Sequence, residues 1–183
     1  TLASLKAKDG VFSVLGNHDY AYYIKATEAE RRHNCQEMID VQRRMGWKLL
    51  LNDNCVIRRG NDSIVVAGEE NVGRPPFPMK GDLKKTLRGV SASSFVVLMQ
   101  HDPWAWEEQI LPRSKVQLTL SGHTHGGQLS LFGWRPTSVV NTEDAGLYKE
   151  GNRYLYVSTG VGAFIPFRFH MKPEVVEITL KVK

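Results

Sequence analysis

Gly122-His-Thr-His-Gly-Gly-Gln128 is the stretch on which the reading of this chain turns. It follows Val116-Gln-Leu-Thr-Leu120, whose alternation and β-type residues read as a strand. Two other polar clusters close apolar runs in the same way. Gly16-Asn-His-Asp19 follows Val11-Phe-Ser-Val-Leu15, and Gln100-His-Asp102 follows Phe95-Val-Val-Leu-Met99. In α/β sheets, ligand sites gather in the loops just beyond the carboxyl ends of strands. Four of the six histidines (His18, His101, His123 and His125) fall in these loops, together with Asn17, Asp19 and Asp102. Imidazole with carboxylate and amide oxygen is a ligand set for Mn²⁺, Fe²⁺ or Zn²⁺. His123 and His125 stand two apart, so an extended backbone sends both side chains to one side. Gly122, Gly126 and Gly127 give the backbone room for unusual angles and for a bulky anion. Two ions about 3.5–4 Å apart clamp a phosphate and lower the pKa of an attacking water. Each motif also has an ordinary reading, since Asn-His-Asp is a turn sequence and a single His after a strand is commonly just hydrogen-bonded. The three loops together carry the metal-centre reading.

Outward from these loops, strands and helices alternate up to residue 120, which indicates an α/β sheet. Residues 28–45 read as a helix with Cys35, Met38, Val41 and Met45 on one apolar stripe and Gly46 as its stop. A hairpin follows, Cys55–Arg59 against Ser63–Ala67 around a Gly60-Asn-Asp turn. Glu69–Pro78 is a loop, 81–88 a short helix, and a further helix starts near Pro103. The last third reads as β around Leu129–Leu131, Tyr154–Ser158 and Val175–Lys181. Residues 1–183 form a single unit with no repeat or linker.

The 183 residues, 42% apolar and 23% charged, suit one globular domain rather than a disordered chain. No apolar run approaches the roughly 18–20 residues that span a bilayer. The opening TLASLKAKDG has no signal-peptide core and no initiator Met, so residue 1 reads as a cut end. The net charge of +5 suits an anionic substrate or an anionic membrane surface. Basic pairs such as Arg31–Arg32 and Lys84–Lys85 read as solvated faces, and no nucleic-acid-binding motif is present. Cys35 and Cys55 read as unpaired thiols.

Taken in order, Gly16-Asn-His-Asp19, His101-Asp-Pro103 and Gly122–Gln128 resemble the second half of the calcineurin-like metallophosphoesterase signature. With Val157-Ser-Thr-Gly-Val-Gly162 and Arg168, the last motif is similar to the bacterial subgroup of YkuE- and YaeI-like phosphodiesterases. The resemblance implies a four-layer αββα sandwich with mixed sheets, here incomplete and lacking its N-terminal strands. It implies that Asn17, His101 and His123 bind one metal and His125 the other. His18 would face the scissile phosphate as general acid or as a stabiliser of charge, with Asp19 beside it. Asp19 and Asp102 would each hold an imidazole in the right tautomer, or Asp102 would cap the helix at Pro103. The implied cofactors are two divalent ions, Mn, Fe or Zn, and the implied reaction is phosphodiester hydrolysis.

The chain departs from that signature in having neither Asp-x-His nor Gly-Asp-x-x-Asp; Gly81-Asp82 continues into Leu-Lys-Lys. The expectation is that roughly 80–100 residues precede residue 1 in the intact protein. This chain alone would then hold at most one ion, weakly, and would be inactive or nearly so. An exposed strand edge would favour a homodimer.

For the substrate, Arg74 and Arg168 are candidate phosphate partners, because guanidinium forks match phosphate oxygens. Phe164-Ile-Pro-Phe-Arg-Phe169 and Trp134 read either as core packing or as an apolar lip suited to a lipid-linked phosphodiester. The expected location is the cytoplasm or the inner face of the cytoplasmic membrane, with peripheral membrane association. Other enzymes that use His-x-His fit less well: metallo-β-lactamase-like hydrolases need Asp where Gly127 stands, and amidohydrolases place the motif on their first strand. The remaining rival is a catalytically dead fold of the same kind serving as a binding or scaffold module.

Overall fold

The computed structural model describes residues 2–181. Its centre is a six-stranded mixed sheet in the order β3-β4-β5-β6-β8-β7. The strands are β3 (Asp53–Arg59), β4 (Asp62–Gly68), β5 (Phe95–Met99), β6 (Leu118–Ser121), β7 (Gly146–Glu150) and β8 (Arg153–Val157). The inner strands β4, β5, β6 and β8 run parallel, so their carboxyl ends lie along one edge. Antiparallel hairpins complete the sheet: β3 pairs with β4 on one side, and β7 with β8 on the other. A separate two-stranded parallel sheet is formed by β1 (Phe12–Ser13) with β2 (Lys48–Leu49).

Period-two alternation sorts the inner strands into two faces. Val65, Ala67, Val96, Leu98, Leu155 and Val157 share one face and are buried against Leu83, Trp106 and Ile110. Each buried valine or leucine among them contributes about 1.5–3 kcal/mol by leaving water. Leu83 opens the short helix α2 (Leu83–Thr86), capped by Asp82, whose side chain accepts from Lys85 N–H at 2.9 Å. Trp106–Ile110 is a single wide π-type turn that continues into α3 (Leu111–Arg113). On the opposite face Gly68 has no side chain where Leu50 and Val14 press in. A Cβ there would lie 2.4 Å from Leu50 Cβ, so the β1–β2 piece packs directly on the sheet because residue 68 is glycine.

Helix α1 (Glu28–Arg44) starts at a capping box, with Thr27 N–H donating to Glu30 at 2.7 Å and Thr27 Oγ1 accepting from Glu30 N–H at 3.3 Å. Its apolar stripe is less buried than the spacing predicts: Met38 is 40% and Val41 37% exposed. The helix rests on a narrow platform, the turn Asn17–Tyr20 and β2, and this covers only part of one side. The C-terminal expectations are corrected as well. Val175–Lys181 forms no strand; the residue before it, Glu174, accepts from Thr159 N–H at 2.8 Å. Leu129 and Leu131 make only single bridges, to Phe169 and Trp134, while β7 was not anticipated. Cys35 and Cys55 are free thiols, as expected. No helix among the described residues is long and apolar enough to cross a membrane.

Candidate metal centre

The carboxyl ends of β1, β5 and β6 bring their three loops together. His101 Nε2 lies 2.8 Å from Asn17 Oδ1, and His123 Nδ1 lies 3.3 Å from each of them. Asn17 is 1% exposed, so its amide is fixed rather than solvated. Gly16 makes this approach feasible, because a Cβ at residue 16 would stand 2.8 Å from the His101 ring. Donor atoms about 2.0–2.2 Å from one cation are about 3.0 Å apart in octahedral and about 3.4 Å apart in tetrahedral geometry. The observed triangle matches those separations. Among the described residues no three His, Cys, Asp or Glu side chains form a metal-holding group. The convergent set is two imidazoles and one amide oxygen.

The electrostatics suit the same role. Burial, with His123, His18 and His125 nearby, pushes the His101 imidazolium pKa down to about 3, leaving a neutral ring with a lone pair to offer. His123 is lowered by burial, an effect opposed by the Asp102 charge. Asp102 touches partners for each of the two expected roles. Its Oδ1 accepts from Trp104 N–H at 3.0 Å and so caps the turn, and its Oδ2 stands 3.5 Å from His123 Nε2. Nδ1 of His123 faces the triangle while Nε2 faces a carboxylate, the arrangement that fixes a ligating imidazole's tautomer.

The other expected residues are distributed around this triangle. His18 and His125 line the same cleft, a cavity of about 670 Å³, without joining the three converging atoms. His18 stacks on Tyr23, ring centroids 4.1 Å apart and planes within 11°. Tyr23 OH in turn accepts a close contact from the Asn17 amide nitrogen. Asp19 accepts from Gly16 N–H at 2.8 Å and so closes the turn that presents Asn17 and His18. The backbone from His123 to Gln128 is not extended. His123, His125, Gly126, Gly127 and Gln128 all have positive φ, and His125 opens a tight turn that carries it away from His123. Strain of this kind, about 1–3 kcal/mol per non-glycine residue, is typical of functional loops. Arg74 reaches the cleft with one nitrogen on Val140 O at 2.8 Å and its fork over the Trp104 ring. Arg168 is turned to backbone, donating to Thr159 O at 2.8 Å and to Gly160 and Gly162.

Three contributors were not anticipated. Phe77 sets its edge against His123, 5.2 Å between centroids. Gln128, the last residue of the deciding motif, is 1% exposed and bonds the 164–167 backbone. Glu69, at the end of β4, is fully buried and accepts from Gln109 Nε2 at 2.7 Å. Burial pushes the Glu69 carboxyl up to about 7, more than the Gln109 bond lowers it. An acid whose folded pKa is raised binds extra protons in the native state, so stability falls as pH rises from about 4.3 through 7. Glu143, also pushed to about 7 by burial and by Glu107, titrates in that window. We predict that Glu69→Gln flattens the fall seen in urea melts between pH 5 and 8, gaining at most about 3 kcal/mol at the alkaline end. An unchanged slope would show that Glu69 stays ionised.

Comparison with known proteins defines the class. Residues 1–127 match the calcineurin-like phosphoesterase family model, and the chain belongs to that family. The matched segment contains Asn17, His18, His101, His123 and His125. Among its relatives, an uncharacterized metallophosphoesterase of Aquifex aeolicus is 32% identical over the whole of this chain and 65% of its own length. The metallophosphoesterase YkuE of Bacillus subtilis is 33% identical, over 98% of this chain and 59% of its own. Phosphodiesterase YaeI of Escherichia coli is 29% identical, over 92% of this chain and 57% of its own. The chain thus spans about three-fifths of the length of these relatives. No solved structure gives a significant match.

Proposed function

We propose that this chain carries the cation-binding and proton-donating half of a phosphodiester hydrolase centre. The observation that carries the proposal is the triangle of Asn17 Oδ1, His101 Nε2 and His123 Nδ1, with sides of 2.8–3.3 Å. Asn17, His101 and His123 would hold a divalent cation, Mn, Fe or Zn, which would supply Lewis acidity; a second cation would draw on His125. Asp102 orients His123, and Phe77 walls the ring from solvent. His18 stands in the cleft with its ring braced by Tyr23, placed to give a proton to the leaving oxygen. Arg74 lends positive charge at the rim.

The diester reading is supported by the name of the Escherichia coli relative, and a lipid-linked diester by the apolar walls Phe164, Ile165 and Val140 of the cleft. The test is hydrolysis of bis(p-nitrophenyl) phosphate by this chain and by the whole gene product, with and without Mn²⁺. Turnover that requires the cation supports the proposal. A folded, cation-loaded gene product with no turnover of any diester would leave the scaffold reading.

A further inference from the structure

Tyr23 lies beyond the Gly16–Asp19 motif in the sequence, yet it touches both the cation triangle and the proton donor. The local backbone brings it there. The turn Asn17–Tyr20 ends at Ala21, whose left-handed φ of 57° swings the chain back, so that Tyr23 reaches Asn17. Its ring packs against two neighbours, stacked on His18 at 4.1 Å between centroids and tilted on Phe77 at 6.1 Å. Phe77 in turn sets its edge against His123. Held in this way, the phenol oxygen meets the Asn17 amide nitrogen.

An amide has two unlike ends, and the last torsion of an asparagine is broad and roughly two-fold. Oδ1 of Asn17 faces His101 Nε2 at 2.8 Å and His123 Nδ1 at 3.3 Å. Only that end can ligate a cation, because the NH2 group donates and has no lone pair to offer. A reversed amide would aim N–H donors at the two ring nitrogens and close the triangle to a cation. Asn17 is buried, so solvent cannot satisfy whichever end faces away. An acceptor fixed beside Nδ2 satisfies the nitrogen end and leaves the oxygen for the triangle. We infer that Tyr23 is a positioning residue of the cation site, its hydroxyl holding the Asn17 amide oxygen-inward while the same ring steadies His18. The inference rests on the cation-binding reading of the triangle.

The experiment is a titration with Mn²⁺, unbound ion being read from its electron paramagnetic resonance signal. It compares the native chain, Tyr23→Phe, Asn17→Asp and the double variant. Tyr23→Phe removes one oxygen and keeps the ring, so it should weaken Mn²⁺ binding about tenfold. A carboxylate has two like ends and needs no orienting. In the Asn17→Asp background, Tyr23→Phe should therefore leave Mn²⁺ affinity within about twofold, a coupling that a tyrosine supporting only the fold would not show. Equal affinity in the native chain and Tyr23→Phe overturns the inference while the cation site stands. An equal loss in both backgrounds also overturns it, because Tyr23 would then act otherwise than through the amide. So does loss of binding in Asn17→Asp, which keeps an oxygen at the same place. A folded native chain that binds no Mn²⁺ removes the cation-binding reading, and the inference falls with it.

Discussion

His18→Ala should leave cation content unchanged and slow hydrolysis of an alkyl phosphodiester by about 10²–10⁴-fold, the usual worth of a positioned general acid. The same substitution should cost far less with bis(p-nitrophenyl) phosphate. A nitrophenolate leaves without a proton, whereas an alkoxide needs one at the departing oxygen. His18 lines the cleft, whereas the converging atoms belong to Asn17, His101 and His123, the proposed cation ligands. Its ring is held by the Tyr23 stack rather than rotating freely, which fixes where a ring nitrogen meets a substrate. The check is kcat for native and variant protein across diesters of rising leaving-group basicity, with cation content assayed on the same samples. Equal losses on all esters would make His18 a stabiliser of phosphoryl charge instead. A parallel loss of cation would make it a ligand.

Asp144→Ala should remove about 1–3 kcal/mol of stability, because Arg135 and Thr137 lose a charged hydrogen-bond partner. Asp144 receives both Arg135 Nε and Nη2 at 2.7 Å and Thr137 Oγ1 at 2.9 Å, and its backbone oxygen takes the Thr124 hydroxyl. These bonds tie the wall that carries Pro136 and Thr137 to the loop between His123 and His125, so the site should loosen as the fold weakens. Burial alone would raise the Asp144 carboxyl; the Arg135 and Thr137 bonds and the Arg135 charge outweigh it and hold the pKa below its ordinary value. Its stabilisation is therefore full above the unfolded carboxylate pKa of about 3.9 and is lost as pH falls through the lower folded value. Urea melts at neutral pH and near pH 3 check both parts. A variant within about 1 kcal/mol of the native chain would show that this network adds little.

Much of this was legible because apolar runs and the polar loops behind them are local signals. Phe95–Met99 and the Cys55–Ala67 hairpin fall where their β-branched residues place them, and the family follows from three short motifs. The triangle itself could be anticipated in membership but not in shape. The stretch from His123 to His125 leaves the two-residue alternation of a strand because His123 and His125 take left-handed φ values and Thr124 a helical conformation. The helix stripe misled for a different reason. Spacing tells which residues share a face, whereas burial of Met38 and Val41 depends on whether neighbouring elements reach that face. Val175–Lys181 has strand-like residues, but a strand also needs a partner, and partners are not encoded in the segment itself. Glu69 gave no signal at all, since an acid after an apolar strand reads as the start of a solvated loop.

Pulsed electron paramagnetic resonance of the chain titrated with Mn²⁺ tests the central claim most directly, because it counts imidazole nitrogens on the bound ion. A site at Asn17, His101 and His123 should give two such nitrogens, one lost in His101→Ala and one in His123→Ala, with weaker binding in both. A folded chain that binds no Mn²⁺, or whose bound ion shows the same nitrogen couplings in both variants, would contradict it.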